Sequence, residues 1–238
     1  MPCYNEGSKL YTNVERTIQV LKNTLPFDYE IILVDDGSSD DTYEEGLRVG
    51  RTWDEVKIVK CEYHQGKGAA LRYGFHFATG DLVAFLDADL DLHPGQLVSF
   101  YDIMEKTHSD IVIGSKRHPE SVFDYPKMRR VLSFFYQLLI FILFGLPVSD
   151  TQVGLKLFKY EVLKKVFPKL LVKAFAFDLE LLVNAYHLGY QVVEAPISRS
   201  FDRETRWGNI RFRDIRNMLI DTLAIFYRMY ILKYYDKH

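Results

Sequence analysis

Three carboxylates at alternate positions, Asp87, Asp89 and Asp91, follow an apolar run from Leu82 to Leu86. In an extended segment alternate side chains share a face, so the spacing predicts that the three converge on one point. Like charges that close repel unless a cation neutralises them, and clustered carboxylate oxygens suit a hard divalent metal such as magnesium or manganese. The alternative for an isolated D-x-D is a loop of solvated aspartates. A calcium loop of the EF-hand type also opens D-x-D-x-D, but it needs Gly sixth and Glu twelfth. The chain has Leu92 and Val98 there, which excludes it.

Two further groups carry charge at turns. Asp35-Asp36-Gly37-Ser38 follows the β-branched run Glu30 to Val34; on its own this is equally an ordinary turn with a helix cap. Gly66-Lys67-Gly68 opens a helical pattern. It is either a plain glycine turn or a lysine set at a helix start, where a diphosphate would bind favourably.

The elements around these groups alternate. Val14, Ile18, Leu21 and Leu25 recur at helical spacing, and Ser39 or Asp40 caps a helix from Asp41 to Arg51. Lys57 to Tyr63 reads as a strand, Lys67 to Ala78 as a helix and Asp81 to Leu86 as a strand. Pro94 opens a helix to about Lys106, and Asp110 to Gly114 is another strand. Such alternation predicts an α/β fold with a mostly parallel sheet and helices on both faces. Ligands then sit outside the carboxyl ends of the strands, the rim on which Asp35-Asp36 and Asp87-Ala88-Asp89 fall. The segment Met1 to Glu6 reads as a strand-to-helix loop, with its first strand expected to lie outside this sequence.

The second half changes character. Lys127, Arg129 and Arg130 lead into sixteen nearly apolar residues from Val131 to Leu146, short of the roughly 20 that a membrane-spanning helix needs. A buried core helix is one reading. The other is a helix lying in the membrane interface, with basic residues at its entrance for anionic head groups. Ile210 to Lys233 repeats the pattern: Ile215, Met218, Leu219, Thr222, Leu223 and Phe226 make one face, and five basic residues flank it. Two such helices favour the membrane.

Composition sets outer limits. At 238 residues, 48% of them hydrophobic and 15% aromatic, the chain can bury a substantial core. A net charge of −2 argues against a general nucleic-acid binder, although Arg199 to Arg216 holds six arginines. Cys3 and Cys61 make neither a disulfide framework nor a metal spacing, which fits a reducing compartment. No signal peptide is read. No G-x-G-x-x-G follows a strand, which disfavours a dinucleotide oxidoreductase.

Taken in order, the motifs resemble those of the family 2 glycosyltransferases, and within them the polyprenyl-phosphate and dolichyl-phosphate hexose synthases. The matching elements are Pro2-x-Tyr4-Asn5-Glu6, Val34-Asp35-Asp36-Gly37-Ser38-Ser39-Asp40, Gly66-Lys67-Gly68-Ala69-Ala70 and Asp87-Ala88-Asp89-Leu90. Gly114-Ser115-Lys116, Asp150-Thr151-Gln152-x-Gly154-x-Lys156-Leu157-Phe158 and Phe177-Asp178-x-Glu180-Leu181-Leu182 follow in family order.

The resemblance implies a GT-A type, Rossmann-like domain over residues 1–200, with an interfacial helix over 127–146 and a basic amphipathic segment over 201–238. It implies a nucleotide-sugar donor, with Pro2, Tyr4, Glu6 and Val34 around the nucleoside and Asp36 on the base. Asp87, Ala88 and Asp89 would meet the diphosphate through a divalent metal, with Asp91 as a third ligand where the family often has glutamine. It also implies that Lys67 supports the diphosphate and that a polyprenyl (dolichyl) phosphate acceptor is gripped by Arg129, Ser133, Lys116, Arg199 and Arg203. Asp178, with Glu180, would orient the acceptor or act as base.

The activity implied is inverting transfer of a hexose at the cytoplasmic face of a membrane, by a peripheral protein that a homo-oligomer would also suit. The Asp-Thr-Gln and Phe-Asp-x-Glu motifs look more like glucose than mannose synthases, which favours UDP-glucose over GDP-mannose. Rival readings are transfer to a soluble or cell-wall saccharide, and a non-catalytic, membrane-associated nucleotide-binding protein.

Overall fold

Leu10, Val14, Ile18 and Leu21 share the buried face of helix α1 (Gly7–Thr24), as their spacing of three and four residues requires. The computed structural model describes residues 1–122, 127–173, 176–199 and 212–237, with backbone alone at 127–129 and 212–214. After β1 (Pro2–Cys3) and α1 come β2 (Ile31–Asp35), α2 (Thr42–Thr52), β3 (Val56–Lys60), α3 (Lys67–Phe75), β4 (Leu82–Phe85), α4 (Gln96–Thr107) and β5 (Ile111–Ser115). Then follow α5 (Lys127–Phe144), β6 (Lys156–Lys159), α6 (Tyr160–Val166), α7 (Phe177–His187), β7 (Val192–Pro196), α8 (Phe212–Phe226) and α9 (Tyr234–Lys237). A π-helical turn, Tyr227–Ile231, continues α8.

The described strands form two sheets, ordered β1-β2-β3 and β4-β6-β5-β7. The first is wholly parallel. In the second β5 and β7 run parallel, whereas β6 is antiparallel to both β4 and β5. The mostly parallel α/β expectation therefore holds with one reversed central strand. That reversal matters for the site: it brings the first residue of β6, Lys156, level with Phe85 and Ile113, at the ends of strands running the other way.

An apolar cleft of about 440 Å³, lined by Leu21, Ile32, Phe75, Val83 and Tyr101 among others, borders both β2 and β4. The segment Pro2–Cys3, read from sequence as loop, pairs as a short strand with Val34 and Asp35. Just before it the Met1 ammonium donates to the Ile32 carbonyl at 2.9 Å, and burial pulls that ammonium down to about 6.

The second half shares the core. Tyr136, Ile140 and Phe144 of α5 are buried with Ile225, Met229 and Tyr235 from the C-terminal helices. The Tyr136 and Thr222 hydroxyls hydrogen-bond at 3.0 Å, and Phe144 packs on Phe226 and Tyr230. The other faces of these helices are apolar and exposed: Phe135 is 62% exposed, Ile142 69% and Ile231 63%, with Phe134, Phe141, Ile220 and Leu223 alongside. Among the described residues no helix is long and apolar enough to cross a membrane.

Candidate active site

The carboxyl ends of β2, β4 and β5, the start of β6, and the first turns of α3 and α7 meet on one rim. Two lysine–carboxylate pairs lie at its β4–β6 end. Lys67 Nζ, at the start of α3, contacts Asp87 Oδ1 at 2.5 Å, and both side chains are more than a third exposed. Beneath them Lys156 Nζ meets Asp178 Oδ1 at 2.6 Å and also donates to the Val153 carbonyl. Lys156 is wholly buried and Asp178 nearly so.

The two lysines are pushed in opposite directions. Burial lowers the Lys67 ammonium, but the Asp87 and Asp178 carboxylates outweigh it and hold the group above its ordinary value. It is a fixed cation at neutral pH. At Lys156 burial wins, and its ammonium is held below its ordinary value despite Asp178.

Gly154 makes room for Asp87. A Cβ on Gly154 would lie 1.9 Å from Asp87 Oδ2, so the carboxylate rests directly on the backbone of the loop before β6. No other residue type leaves that space.

The convergence of three aspartates is corrected by the backbone. β4 stops at Phe85, Leu90 turns into the left-handed region at φ 54°, and the Asp91 amide donates to Asp89 Oδ1 at 3.1 Å. The alternation rule applies only while the chain stays extended, and here a turn interrupts it. Asp91 instead accepts from Arg199 Nη2 at 3.1 Å and Nε at 3.2 Å. Among the described residues no three His, Cys, Asp or Glu side chains gather as a metal cage.

The β2 end forms a second lobe. Asp36 is 2% exposed and accepts from the Gln65 amide at 3.0 Å and the Gly66 amide at 2.8 Å, while His64 Nδ1 lies 2.8 Å from Oδ2. Both of its oxygens thus hold the loop that delivers Lys67. Gly37, at φ 70°, lets this turn pass within contact of the Tyr63 backbone. The Tyr4 ring stacks on His64 at 4.0 Å between centroids, leaving an exposed aromatic shelf. Pro2 and Val34 pair in the sheet below, and the Glu6 amide donates to Thr42 Oγ1 at 2.8 Å.

Some of the other expected residues are described. The Lys116 amide, just past β5, donates to Asp150 Oδ2 at 3.3 Å. Ser133 is half-buried on α5. One turn further on, Gln137 reaches Thr151 Oγ1 at 3.4 Å, so this face of α5 abuts the loop that carries Gly154. The side chain of Arg129, the whole of Arg203 and most of the arginine-rich stretch lie outside the described residues. Sequence reasoning quoted Lys156 within a motif but assigned it no role. The signal available was a lysine opening a strand whose neighbours end in carboxylates.

The sequence pattern of Glycosyl transferase family 2 matches residues 1–167. The chain belongs to that family. Among the relatives of this family 2 chain, Dolichyl-phosphate beta-glucosyltransferase of Saccharomyces cerevisiae is 31% identical over 83% of the chain and 65% of the relative. Dolichyl-phosphate beta-glucosyltransferase ALG5A of Trichomonas vaginalis is 31% identical over 100% and 75%, respectively. The family 2 chain thus spans just under two thirds of the yeast relative's length. Among solved structures, glucosyl-3-phosphoglycerate synthase of Mycobacterium tuberculosis superposes with a TM-score of 0.68 at 19% identity, over 95% of this chain and 77% of that one. A complex of that enzyme with Mn2+, uridine diphosphate and phosphoglyceric acid gives 0.67 at 21% identity, over 95% and 75%. The shared fold is the GT-A glycosyltransferase fold.

Proposed function

We propose that the chain transfers glucose from UDP-glucose to dolichyl phosphate at a membrane surface, with inversion. The observation that carries this reading is a juxtaposition. A rim of cationic and carboxylate side chains, Lys67 with Asp87 above Lys156 with Asp178, lies beside α5, whose outer face is exposed and aromatic. The names of the yeast and Trichomonas relatives support glucose as the sugar and dolichyl phosphate as the acceptor.

A divalent cation fits the residues present. Magnesium-type sites use one or two carboxylates completed by substrate phosphates and water, and Asp87 with Asp89 offers that partial set. The Mn2+ and uridine diphosphate bound by the structural neighbour support the same donor chemistry. The cation would neutralise charge on the departing diphosphate. Lys67, a permanent cation one hydrogen bond from Asp87, adds a second positive charge to that side. The Tyr4–His64 shelf offers a flat aromatic surface to the nucleoside.

On the acceptor side little proton chemistry is needed. A phosphate monoester has a second pKa near 6, so its oxygen is already ionised at neutral pH and attacks the anomeric carbon without a strong base. Asp178, tied to Lys156, then acts through placement. Most of the rate enhancement comes from holding two anions in line and neutralising them. Lys116, Ser133 and Arg199, with Arg129 and Arg203, would supply the acceptor phosphate contacts. The aromatic face of α5 and the aliphatic face of α8 (Leu219, Ile220, Leu223) would rest in the lipid interface, making the protein peripheral on the cytoplasmic face.

The donor is tested by incubating the protein with manganese and a short polyprenyl phosphate while varying the nucleotide sugar. UDP-glucose is expected to give lipid-linked sugar at the highest rate. Faster transfer from GDP-mannose would overturn the donor assignment.

A further inference from the structure

Glu180, expected from the sequence to orient the acceptor or act as base with Asp178, is a wholly buried carboxylate on α7 whose bonds point elsewhere. Its four hydrogen bonds are divided between two distant parts of the chain. Oε2 accepts from the Leu171 amide at 2.9 Å and the Val172 amide at 2.7 Å. Oε1 accepts from Arg228 Nη1 at 2.7 Å and the Tyr235 hydroxyl at 2.5 Å. One carboxylate thus fastens the C-terminal helices to the strap 170–173. Lys169 Nζ adds a second tie, donating to the Tyr235 carbonyl at 2.7 Å.

The strap is the support on which the donor-side lysine stands. The Lys173 carbonyl accepts from the Gly68 amide at 3.1 Å, and the Leu170 carbonyl accepts from Arg72 Nη1 at 2.8 Å. Lys173 Nζ reaches Gln65 Oε1 at 3.3 Å, and the Gln65 amide is in turn held by Asp36. The first turn of α3, with Lys67, therefore has the strap on one side and Asp87 on the other.

We propose that Glu180, with Arg228 and Tyr235, is a positioning cluster through which the C-terminal helices set Lys67 for the diphosphate of the donor. The inference rests on the nucleotide-sugar reading above. Its physical basis is that a buried carboxylate stripped of one partner must find another or move, and the groups nearest to move are the Leu171 and Val172 amides. Displacing them shifts the carbonyl that holds Gly68, and with it the ammonium at position 67. Burial, reinforced by Glu180 itself, raises the Tyr235 phenol above its usual range, in keeping with its hydroxyl donating to Glu180.

The test is calorimetric titration of uridine diphosphate, in the presence of manganese, into the wild-type protein and the Tyr235→Phe and Glu180→Gln variants. Thermal melts and manganese titrations without nucleotide accompany it. Tyr235→Phe removes one hydroxyl and keeps the ring packed, so it provides the reading even if Glu180→Gln fails to fold. The expected result is uridine diphosphate binding weakened by about fivefold to tenfold at unchanged stoichiometry, with manganese binding alone unchanged. A merely structural role would lower the melting temperature and the binding-competent fraction but leave the dissociation constant of that fraction alone. Dissociation constants within twofold of wild type would overturn the inference. A wild-type protein that binds no uridine diphosphate would instead overturn the donor reading, and the inference with it.

Discussion

Gly154→Ala separates folding from chemistry at the rim. The new methyl carbon would sit 1.9 Å from Asp87 Oδ2 and 2.8 Å from its Cγ, so the oxygen is about 1.5 Å short of the 3.4 Å at which ordinary contact begins. The cheapest relief is for the Asp87 carboxylate to swing away, because it is the tip of a side chain two fifths exposed. That movement breaks the 2.5 Å pair with Lys67. The stability cost is limited: overpacking is worth about 1–3 kcal/mol and the swing relieves part of it. Alanine meanwhile recovers about 0.4–1 kcal/mol from the unfolded state, since Gly154 is not among the positive-φ residues. The melting temperature should therefore fall by no more than about 2–4 °C per remaining kcal/mol. Turnover should suffer far more, because a displacement near 1 Å at a reacting centre costs about 10²-fold. Transfer assays, manganese titration and a thermal melt on one preparation provide the comparison. A folded Gly154→Ala protein with wild-type turnover and manganese affinity would refute the role given to Asp87.

Three further outcomes follow from the same geometry. Lys156→Met leaves Asp178 buried without its ammonium, and breaking such a pair costs about 3–5 kcal/mol, read as a lowered midpoint in urea unfolding. Asp91→Asn removes the charge that holds Arg199 but should leave manganese affinity within about twofold, because Asp91 is not grouped with the other two aspartates; a large loss of manganese binding would restore Asp91 as a ligand. Phe135→Ser with Phe141→Ser, both on the exposed face of α5, should abolish sedimentation with anionic vesicles while leaving the melting temperature unchanged. Undiminished vesicle binding by that double variant would remove the membrane surface from this helix.

The legible and illegible parts of this fold divide by range. The face of α1, the strands ending at Asp35 and Phe85, and the helix opened by Lys67 are local patterns, and they lie where periodicity and turn residues put them. Lys156–Lys159 escaped notice as a strand because it is four residues long with a lysine at each end, and only its two neighbours give it a place. Asp91 departs from the alternation because the turn at Leu90 comes immediately before it, and only the fold shows that it pairs with Arg199. Glu180 enters the sequence reading only beside Asp178, as an acceptor-orienting or basic carboxylate. Its partners Arg228 and Tyr235 lie 48 and 55 residues further on, so no local pattern could show that it ties the C-terminal helices to the segment before α7. The exposed apolar faces of α5 and α8 were visible as amphipathic patterns, whereas their mutual packing through Tyr136 and Thr222 was not.

The claim on which the rest depends is that the acceptor is a lipid phosphate. It is tested most directly by supplying UDP-glucose labelled in the sugar, with manganese, to the protein on vesicles that contain or lack dolichyl phosphate, and extracting the product into organic solvent. The predicted result is a dolichyl-phosphate-dependent, acid-labile lipid glucose in β linkage, lost when Asp89 is replaced by alanine. Label transferred instead to a soluble saccharide, or incorporated equally without dolichyl phosphate, would contradict it.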